Sequence, residues 1–353
     1  MAKEKMVTIR SNGSVLFGVF DKEVKTDKYQ IFFNTKTGHE VLTGINGNSD
    51  PFILEMPSMI DCGVMGHCKN KCDICYQGHI SEPNMSLKDF KRLIDQVKDH
   101  TNQIALGGRG DPNHHENFQE IVEYARKNDV VPNYTTSGIG LTKEQVQISK
   151  LCGAVAVSDY NKTHTYEALK MLMDEKVKTN IHTIFSSFSS YYCERILRGE
   201  DVWNEKVDLE RLNAVIFLLF KACGNGAYHS ELTPEPKQVS EFSKNLRNTK
   251  TRFKIGFDSC MINLISKYHK FTDNEKLGLD FCESGRMSVY VTPNMKLVPC
   301  SFANYDLFGV DLNKLSVYDA WNKSSEFQIF RSFLEKEPTK CPVGFGEKDE
   351  DQI

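Results

Sequence analysis

The chain has 353 residues, 40% of them hydrophobic and 26% charged, and a formal net charge of −3. That composition suits a soluble globular protein able to bury a sizeable core, as roughly two domains or one α/β barrel with additions. The charge balance argues against nucleic-acid and membrane-surface partners. "MAKEKMVTIR" offers no secretory stretch, and the longest apolar run, Ala214 to Phe220, is far short of a membrane span, so a cytoplasmic location is expected.

Residues 1–51 read as a small β-meander. "MVTIRSNGSVLFGVF" sets Asn12 and Gly13 between two strand-like runs, and "YQIFFNTKTGHEVLTGI" repeats the design around Thr35 to Gly38. From residue 52 the pattern alternates. "FILEMPSMI" predicts a strand. "SLKDFKRLIDQVKDH" predicts a helix with Leu87, Phe90, Leu93, Ile94 and Val97 on one face and Ser86 as N-cap. "QIALGG", "VVPNYTTSG", "GAVAVSD", "KTNIHTIF" and "NAVIFLLF" predict further strands. "NFQEIVEYARKN", "TKEQVQISKL" with a Thr142–Gln145 capping box, "TYEALKMLMDE", "EKVDLERL" and "KQVSEFSKNLRN" predict the helices between and after them. Six β/α units with apolar strands imply a parallel sheet covered by helices, either doubly wound or a full or partial barrel, over residues 52–255. In a barrel the loops after the strands carry function; here these include Cys62–Ser86, Gly107–Glu116, Thr135–Leu141 and Ala222–Leu232. A third segment, 256–353, carries a hairpin-like "GRMSVYVTPNMKLVPC", a helical "SVYDAWNKSSEFQIFRSFLEK" and a terminal acidic "EKDED" that reads as solvated.

The chain has eleven cysteines. In a reducing compartment they point to metal or catalysis more than to disulfides. Three of them, Cys68, Cys72 and Cys75, fall in "GHCKNKCDICYQGH", in the loop after the first barrel strand. Three thiolates there satisfy three irons of a [4Fe–4S] cluster and leave the fourth open. A structural zinc would ask for a fourth ligand, and Cys62 or His67 is near enough in sequence to supply one.

Cys-x3-Cys-x2-Cys at this place in a β/α barrel, with Ile74 before the last cysteine, resembles the radical S-adenosylmethionine (radical SAM) superfamily. The resemblance implies a partial (β/α)6 TIM-like barrel whose open iron chelates the methionine part of S-adenosyl-L-methionine. It further implies reductive cleavage to a 5′-deoxyadenosyl radical that abstracts hydrogen from substrate. The second strand ends in "LGGRGDP", similar to that family's glycine-rich element. Gly107 and Gly108 let backbone approach an ammonium, and Asp111 can accept from it. The intervening Arg109–Gly110, and Asp in place of Glu, depart from the simplest pattern. Ser137 and Ser158, at the ends of the third and fourth strands, are by resemblance contacts to the ribose and carboxylate; otherwise they are turn residues.

"CESGRMSVYVTPNMKLVPC", Cys282 to Cys300, looks like the auxiliary-cluster hairpin of twitch and SPASM subdomains. Met295 stands where that pattern has glycine, and Asn294 beside it is expected to take the left-handed turn conformation. Cys260, Cys282, Cys300 and Cys341 suffice for one further [4Fe–4S] cluster, as in a twitch-like α+β domain, or for a structural zinc. The resemblance therefore implies two clusters, S-adenosyl-L-methionine, and an electron donor such as flavodoxin or ferredoxin. Its substrate is a ribosomal peptide (epimerised, cross-linked or given a thioether) or a small molecule that is dehydrogenated or rearranged. A non-catalytic metal-binding or electron-transfer protein is the reading from another class.

Of the remaining cysteines, Cys223 in "FKACGNGAYH", at the barrel mouth, is the candidate hydrogen-atom donor. Cys62, Cys152 and Cys193 read as buried small residues, with Cys193 on a long loop. His182 is expected inside the barrel as a satisfied core histidine. His114–His115 reads as a solvated loop, and Asp159, Tyr160 and His164 crowd the fourth strand's exit.

Overall fold

The computed structural model describes residues 5–11, 14–276, 279 and 281–344. β1 (Lys5–Ser11) and β2 (Ser14–Phe20) pair antiparallel; β3 (Lys22–Lys25), β4 (Tyr29–Phe33) and β5 (Glu40–Gly44) form a three-stranded antiparallel sheet. The expected turn at Asn12 and Gly13 and the acidic terminal run lie outside the described residues. The barrel then alternates β6 (Met59–Met65), α1 (Leu87–Val97), β7 (Gln103–Gly108), α2 (Phe118–Lys127), β8 (Val131–Thr136), α3 (Lys143–Ser149), β9 (Val155–Ser158), α4 (Thr163–Asp174), β10 (Thr179–Phe185), α5 (Ser190–Leu197), β11 (Ala214–Leu219), α6 (Pro236–Leu246) and β12 (Lys254–Phe257). After α7 (Ser259–Ile265) and α8 (Asp273–Lys276) come β13 (Ser288–Val291), β14 (Lys296–Val298), α9 (Tyr305–Phe308), β15 (Val310–Asp311), α10 (Val317–Lys323) and α11 (Ser325–Lys336).

Strands β6 to β12 pair in chain order and in parallel. On the other side of β6, β13 joins in parallel and β14 and β15 follow antiparallel, giving an open ten-stranded sheet. This is a TIM-like partial barrel with a small N-terminal antiparallel part. The expected domain boundary at residue 255 falls inside β12, a seventh parallel strand.

The helices form as their periodicity predicts. Phe90, Leu93, Ile94 and Val97 of α1, and Phe118, Ile121, Val122 and Ala125 of α2, are buried in one core cluster with Ile60, Cys62, Val64, Ile104 and Leu106 of the sheet. Each large aliphatic or aromatic side chain in that layer contributes about 1.5–3 kcal/mol. Ser86 caps α1, and the Thr142–Gln145 capping box opens α3.

Four expectations need correction. The first barrel strand starts at Met59, not Phe52; Pro57 just before it has no N–H to give a ladder. "EKVDLERL" is not helical: Asn204 and Glu205 have positive φ, and Asp208, whose Oδ1 accepts from the N–H groups of Glu210 (3.1 Å) and Arg211 (3.3 Å) as an N-cap does, opens only a single turn before β11 begins at Ala214. "SSFSSYYCER" is not all loop: α5 buries Cys193, Ile196 and Leu197. At the β13–β14 turn Met295, not Asn294, has positive φ (63°); its side chain is buried in the core, while the Asn294 amide faces Glu82 (3.4 Å).

The N-terminal sheet seats on the end of the barrel where the strands begin. Lys22 Nζ donates to the carbonyls of Lys98 (3.2 Å), Thr101 (2.7 Å) and Asp129 (2.9 Å), and the Asn102 amide donates to Glu40 (2.7 Å). Burial pushes the Lys22 ammonium down to about 8. Lys22→Met removes these donors and should lower the free energy of unfolding by about 1–3 kcal/mol. Urea denaturation checks this, and an unchanged midpoint would contradict the seating.

Candidate functional site

The cysteine loop leaves the C-terminal end of β6 and runs without helix or strand to Ser86. Backbone groups in such a stretch need partners, and neighbouring loops supply them. Asn225, in the loop after β11, donates its N–H to the Cys75 carbonyl (2.9 Å) and its side-chain amide to the Cys72 carbonyl (3.2 Å). Gly224 (φ +55°) lies so close that a Cβ there would meet the Tyr76 and Cys75 carbonyl oxygens at 2.3 and 2.6 Å. Arg109 Nε donates to the Gln77 carbonyl (3.2 Å), and its guanidinium pairs with Glu82. Cys68, Cys72 and Cys75 are free thiols. The Asn70 N–H points at Cys68 Sγ (3.3 Å), and Cys72 Sγ lies 3.4 Å from the Tyr160 hydroxyl.

Cys62 is not in this loop. It lies in β6, turned toward the helix layer beside Met85 Sδ (3.9 Å), and burial pushes its thiol up. It cannot join the triplet as a fourth ligand.

The glycine-rich element abuts the same loop. A Cβ on Gly108 (φ +104°) would strike the Met65 carbonyl at 2.4 Å, and one on Gly110 (φ +134°) the His67 carbonyl at 2.6 Å. Gly107 differs: a Cβ there would meet nothing within 4 Å. The polypeptide itself has no need of glycine at Gly107, which faces open space and pairs in register with Gly63 of β6. Asp111 Oδ2 accepts from the Thr136 hydroxyl (3.1 Å), the Ser137 N–H (2.9 Å) and the Ser137 hydroxyl (2.5 Å). Ser137 thus holds Asp111. Ser158 ends β9, half-buried and in register with His182.

The second cysteine set also converges. Cys260 lies within electrostatic reach of Cys300 and Cys341, Cys282 of Cys341, and Cys300 of Cys282 and Cys341. Burial pushes the thiols of Cys260 and Cys282 up, and that of Cys300 up to about 12. It raises Cys68 and Cys75 as well. Such thiols ionise only beside added positive charge, which iron or zinc provides. Among the described residues no three His, Cys, Asp or Glu side chains converge closely enough to hold a single metal ion. A cubane asks for a wider spacing, because each thiolate takes its own iron.

Lys221 stands beside the second cysteine set. Burial pushes its ammonium down, but the Asp258 carboxylate, paired with it, and Cys260 outweigh that, so the net direction is up. Its Nζ also sits 4.6 Å from the Phe302 ring centre. Cys223 is half-buried, with burial pushing its thiol up to about 11 and Cys75 close enough to be felt.

Three weaker readings also resolve. His115 is buried rather than solvated, its Nε2 3.0 Å from the Met85 carbonyl, while His114 faces the Ile139 carbonyl (2.8 Å). Asp159 Oδ2 accepts from Thr183 (3.1 Å), Tyr192 (2.9 Å) and Trp203 (3.3 Å), a structural knot at the β9 exit. His182 faces the Thr135 hydroxyl (3.4 Å) rather than a backbone group, and burial pushes its imidazole down to about 4.

One residue was missed. Along β6, Ile60, Cys62 and Val64 turn to the helix layer, so Asp61 turns into the barrel. The alternation in "SMIDCGVM" carried that signal.

Solved structures share this architecture. Streptococcus suis SuiB bound to S-adenosylmethionine aligns with a TM-score of 0.63 at 13% identity, over 80% of this chain and 69% of that one. SuiB bound to precursor peptide SuiA gives 0.64 at 12%, over 88% and 91%. The chain has the SuiB fold. The structure of anSMEcpe with bound AdoMet also aligns, with a TM-score of 0.57 at 14% identity, over 77% and 79%. No protein-family model and no curated protein matches the sequence. Among the described residues no helix is long and apolar enough to cross a membrane.

Burial alone pushes the Asp61 carboxyl up to about 6, and no hydrogen bond or ion pair reaches it among the described residues. Tyr76 and Cys62 are the titratable groups that feel its charge. The folded chain therefore keeps a proton that the unfolded chain loses from about pH 4 upward, and the ionised carboxylate costs stability above pH 6. Asp61→Asn should raise the urea midpoint at pH 7.5, by an amount that shrinks toward zero as pH falls through 6 to about 4. A variant no more stable than wild type at pH 7.5 would contradict this.

Proposed function

We propose that the chain is a radical SAM enzyme acting on a peptide. The observation that supports this is three free thiols, Cys68, Cys72 and Cys75, on the loop that leaves β6, with open space over Gly107 on the neighbouring strand β7 of a SuiB-like barrel. When bound there, a reduced [4Fe–4S] cluster with S-adenosylmethionine supplies hydrogen-atom abstraction.

The chain's own residues hold and orient. Asn225 and Gly224 fix the carbonyls that set the thiols' positions. Gly107 admits the cofactor's polar end. Ser137 and Thr136 hold Asp111 by one oxygen, leaving Oδ1 to receive an ammonium. Cys260, Cys282, Cys300 and Cys341 hold a second cluster in the segment that begins at α7, with Lys221 as the neighbouring cation. Cys223 stands near Cys75, where a thiol can return a hydrogen atom to substrate. The peptide reading draws on SuiB with SuiA and on anSMEcpe with Cp18Cys peptide, and on exposed Phe188, Tyr191 and Tyr228 in the segments that follow β10 and β11.

The test is anaerobic reconstitution with iron and sulfide, dithionite reduction and addition of S-adenosylmethionine. Wild type should form 5′-deoxyadenosine, and the variant with Cys68, Cys72 and Cys75 all changed to Ala should form none. A well-loaded wild type that forms none, or a protein that binds only zinc, sinks the reading. Gly107→Ala should melt like wild type yet bind S-adenosylmethionine at least about tenfold more weakly, a loss of ~1.4 kcal/mol. Unchanged affinity would remove Gly107 from the site.

A further inference from the structure

The inward face of the barrel is not packed shut. On β8 and β10 the helix-facing positions are buried while Asn133, Thr135, Asn180, His182 and Ile184 keep accessible surface, Ile184 as much as 37%. Barrel interiors are ordinarily filled by side chains, so these residues line an open chamber below the cysteine loop. Ile184, Ile216 and Leu218 give it apolar walls.

Asp61 faces this chamber. Its register partners are Ala105 on β7 and Tyr290 on β13; Ala105 offers no polar group, and the Tyr290 hydroxyl is engaged by the Gln77 amide (3.3 Å). The buried cations around the cysteine loop are already committed, Lys221 to Asp258 and Arg109 to Glu82. His182 is neutral. The chamber thus holds one carboxylate with no counter-charge, an arrangement that costs stability unless a ligand completes it.

We propose that Asp61 receives a primary alkylammonium, carried down the apolar chamber on an unbranched chain. As a lysine side chain of a peptide substrate it deepens the proposed function and rests on it; as a free amine it would mark a small-molecule substrate. The polar end group meets the carboxylate, and the methylenes meet Ile184, Ile216 and Leu218.

The experiment is calorimetric titration of reconstituted, S-adenosylmethionine-loaded protein under nitrogen. The probes are acetyl-Ala-Lys-Ala-amide, its norleucine counterpart and n-butylamine. The lysine peptide should bind wild type at least about tenfold more tightly than the norleucine peptide, and Asp61→Asn should bring the ratio to about 1. n-Butylamine that binds as well as the lysine peptide, and loses binding in Asp61→Asn, supports the ammonium site and assigns it to a small amine. Equal binding of the two peptides with no n-butylamine binding, or a preference that survives Asp61→Asn, overturns the proposal. Should Asp61→Asn fold poorly, Ala105→Lys tests the same point by supplying an internal ammonium beside the intact carboxylate. It should abolish the lysine preference, and persistence of that preference would be equally fatal. Wild type that makes no 5′-deoxyadenosine but prefers lysine removes the proposed function and spares this site. An active enzyme without the preference removes this site alone.

Discussion

Asn225 holds the rest of the site in place. The stretch from Gly66 to Ser86 has no helix or strand of its own, and its carbonyls lie at the mouth of the barrel. Two donors from Asn225 fix the Cys72 and Cys75 carbonyls, and Gly224 packs against the same backbone more closely than any side chain would allow. The positions of three thiols on the first strand's exit are therefore set by the exit of the sixth barrel strand, β11. Gly108 at the end of β7 and Gly110 just after it repeat the device, Gly108 against the Met65 carbonyl that ends β6 and Gly110 against the His67 carbonyl of the cysteine segment. Glycines at these contacts serve close backbone packing, whereas Gly107 leaves room for something else.

The sheet divides its two faces between stability and chemistry. Outward positions are fully buried under helices and form the continuous core. Many inward positions keep surface, among them Asp61, Thr135, Ser158 and His182. The C-terminal segment is tied to the barrel at two places. β13 pairs with β6 in parallel, with Tyr290 opposite Asp61, and Lys221 after β11 pairs with Asp258 before α7. Both ties put the second cysteine set next to the first without a separate linker. A cationic Lys221 beside the second set is suited to offset the negative charge that bound thiolates bring.

Much of this was legible in the sequence because local physics and tertiary packing agreed. The α1 and α2 faces, the α3 capping box and five barrel strands follow from periodicity alone. The cysteine triplet and "LGGRGDP" fell where two strand exits meet. What was not legible depended on competition or on distant contacts. Positive φ at Asn204 and Glu205 breaks the start of "EKVDLERL", and Asp208 caps only one turn before the next strand begins. Met295 accepts a left-handed backbone, a cost of about 1–2 kcal/mol, because its side chain fills the core. Ending the first barrel strand at Ile60 rather than Met65 puts Cys62 in a loop and hides Asp61. The clamp by Asn225 joins residues about 150 positions apart in the chain, and no local pattern announces it.

Under the proposed function, two cysteine sets hold two distinct clusters and only the Cys68–Cys72–Cys75 set meets S-adenosylmethionine. Electron paramagnetic resonance of the dithionite-reduced protein tests it most directly, on the triple Cys68/Cys72/Cys75→Ala variant and on the variant with Cys260, Cys282, Cys300 and Cys341 changed to Ala. The account expects one cluster signal in each, shifted by S-adenosylmethionine in the second variant and indifferent to it in the first. A signal in the first variant that S-adenosylmethionine shifts, or no cluster in either, would contradict it.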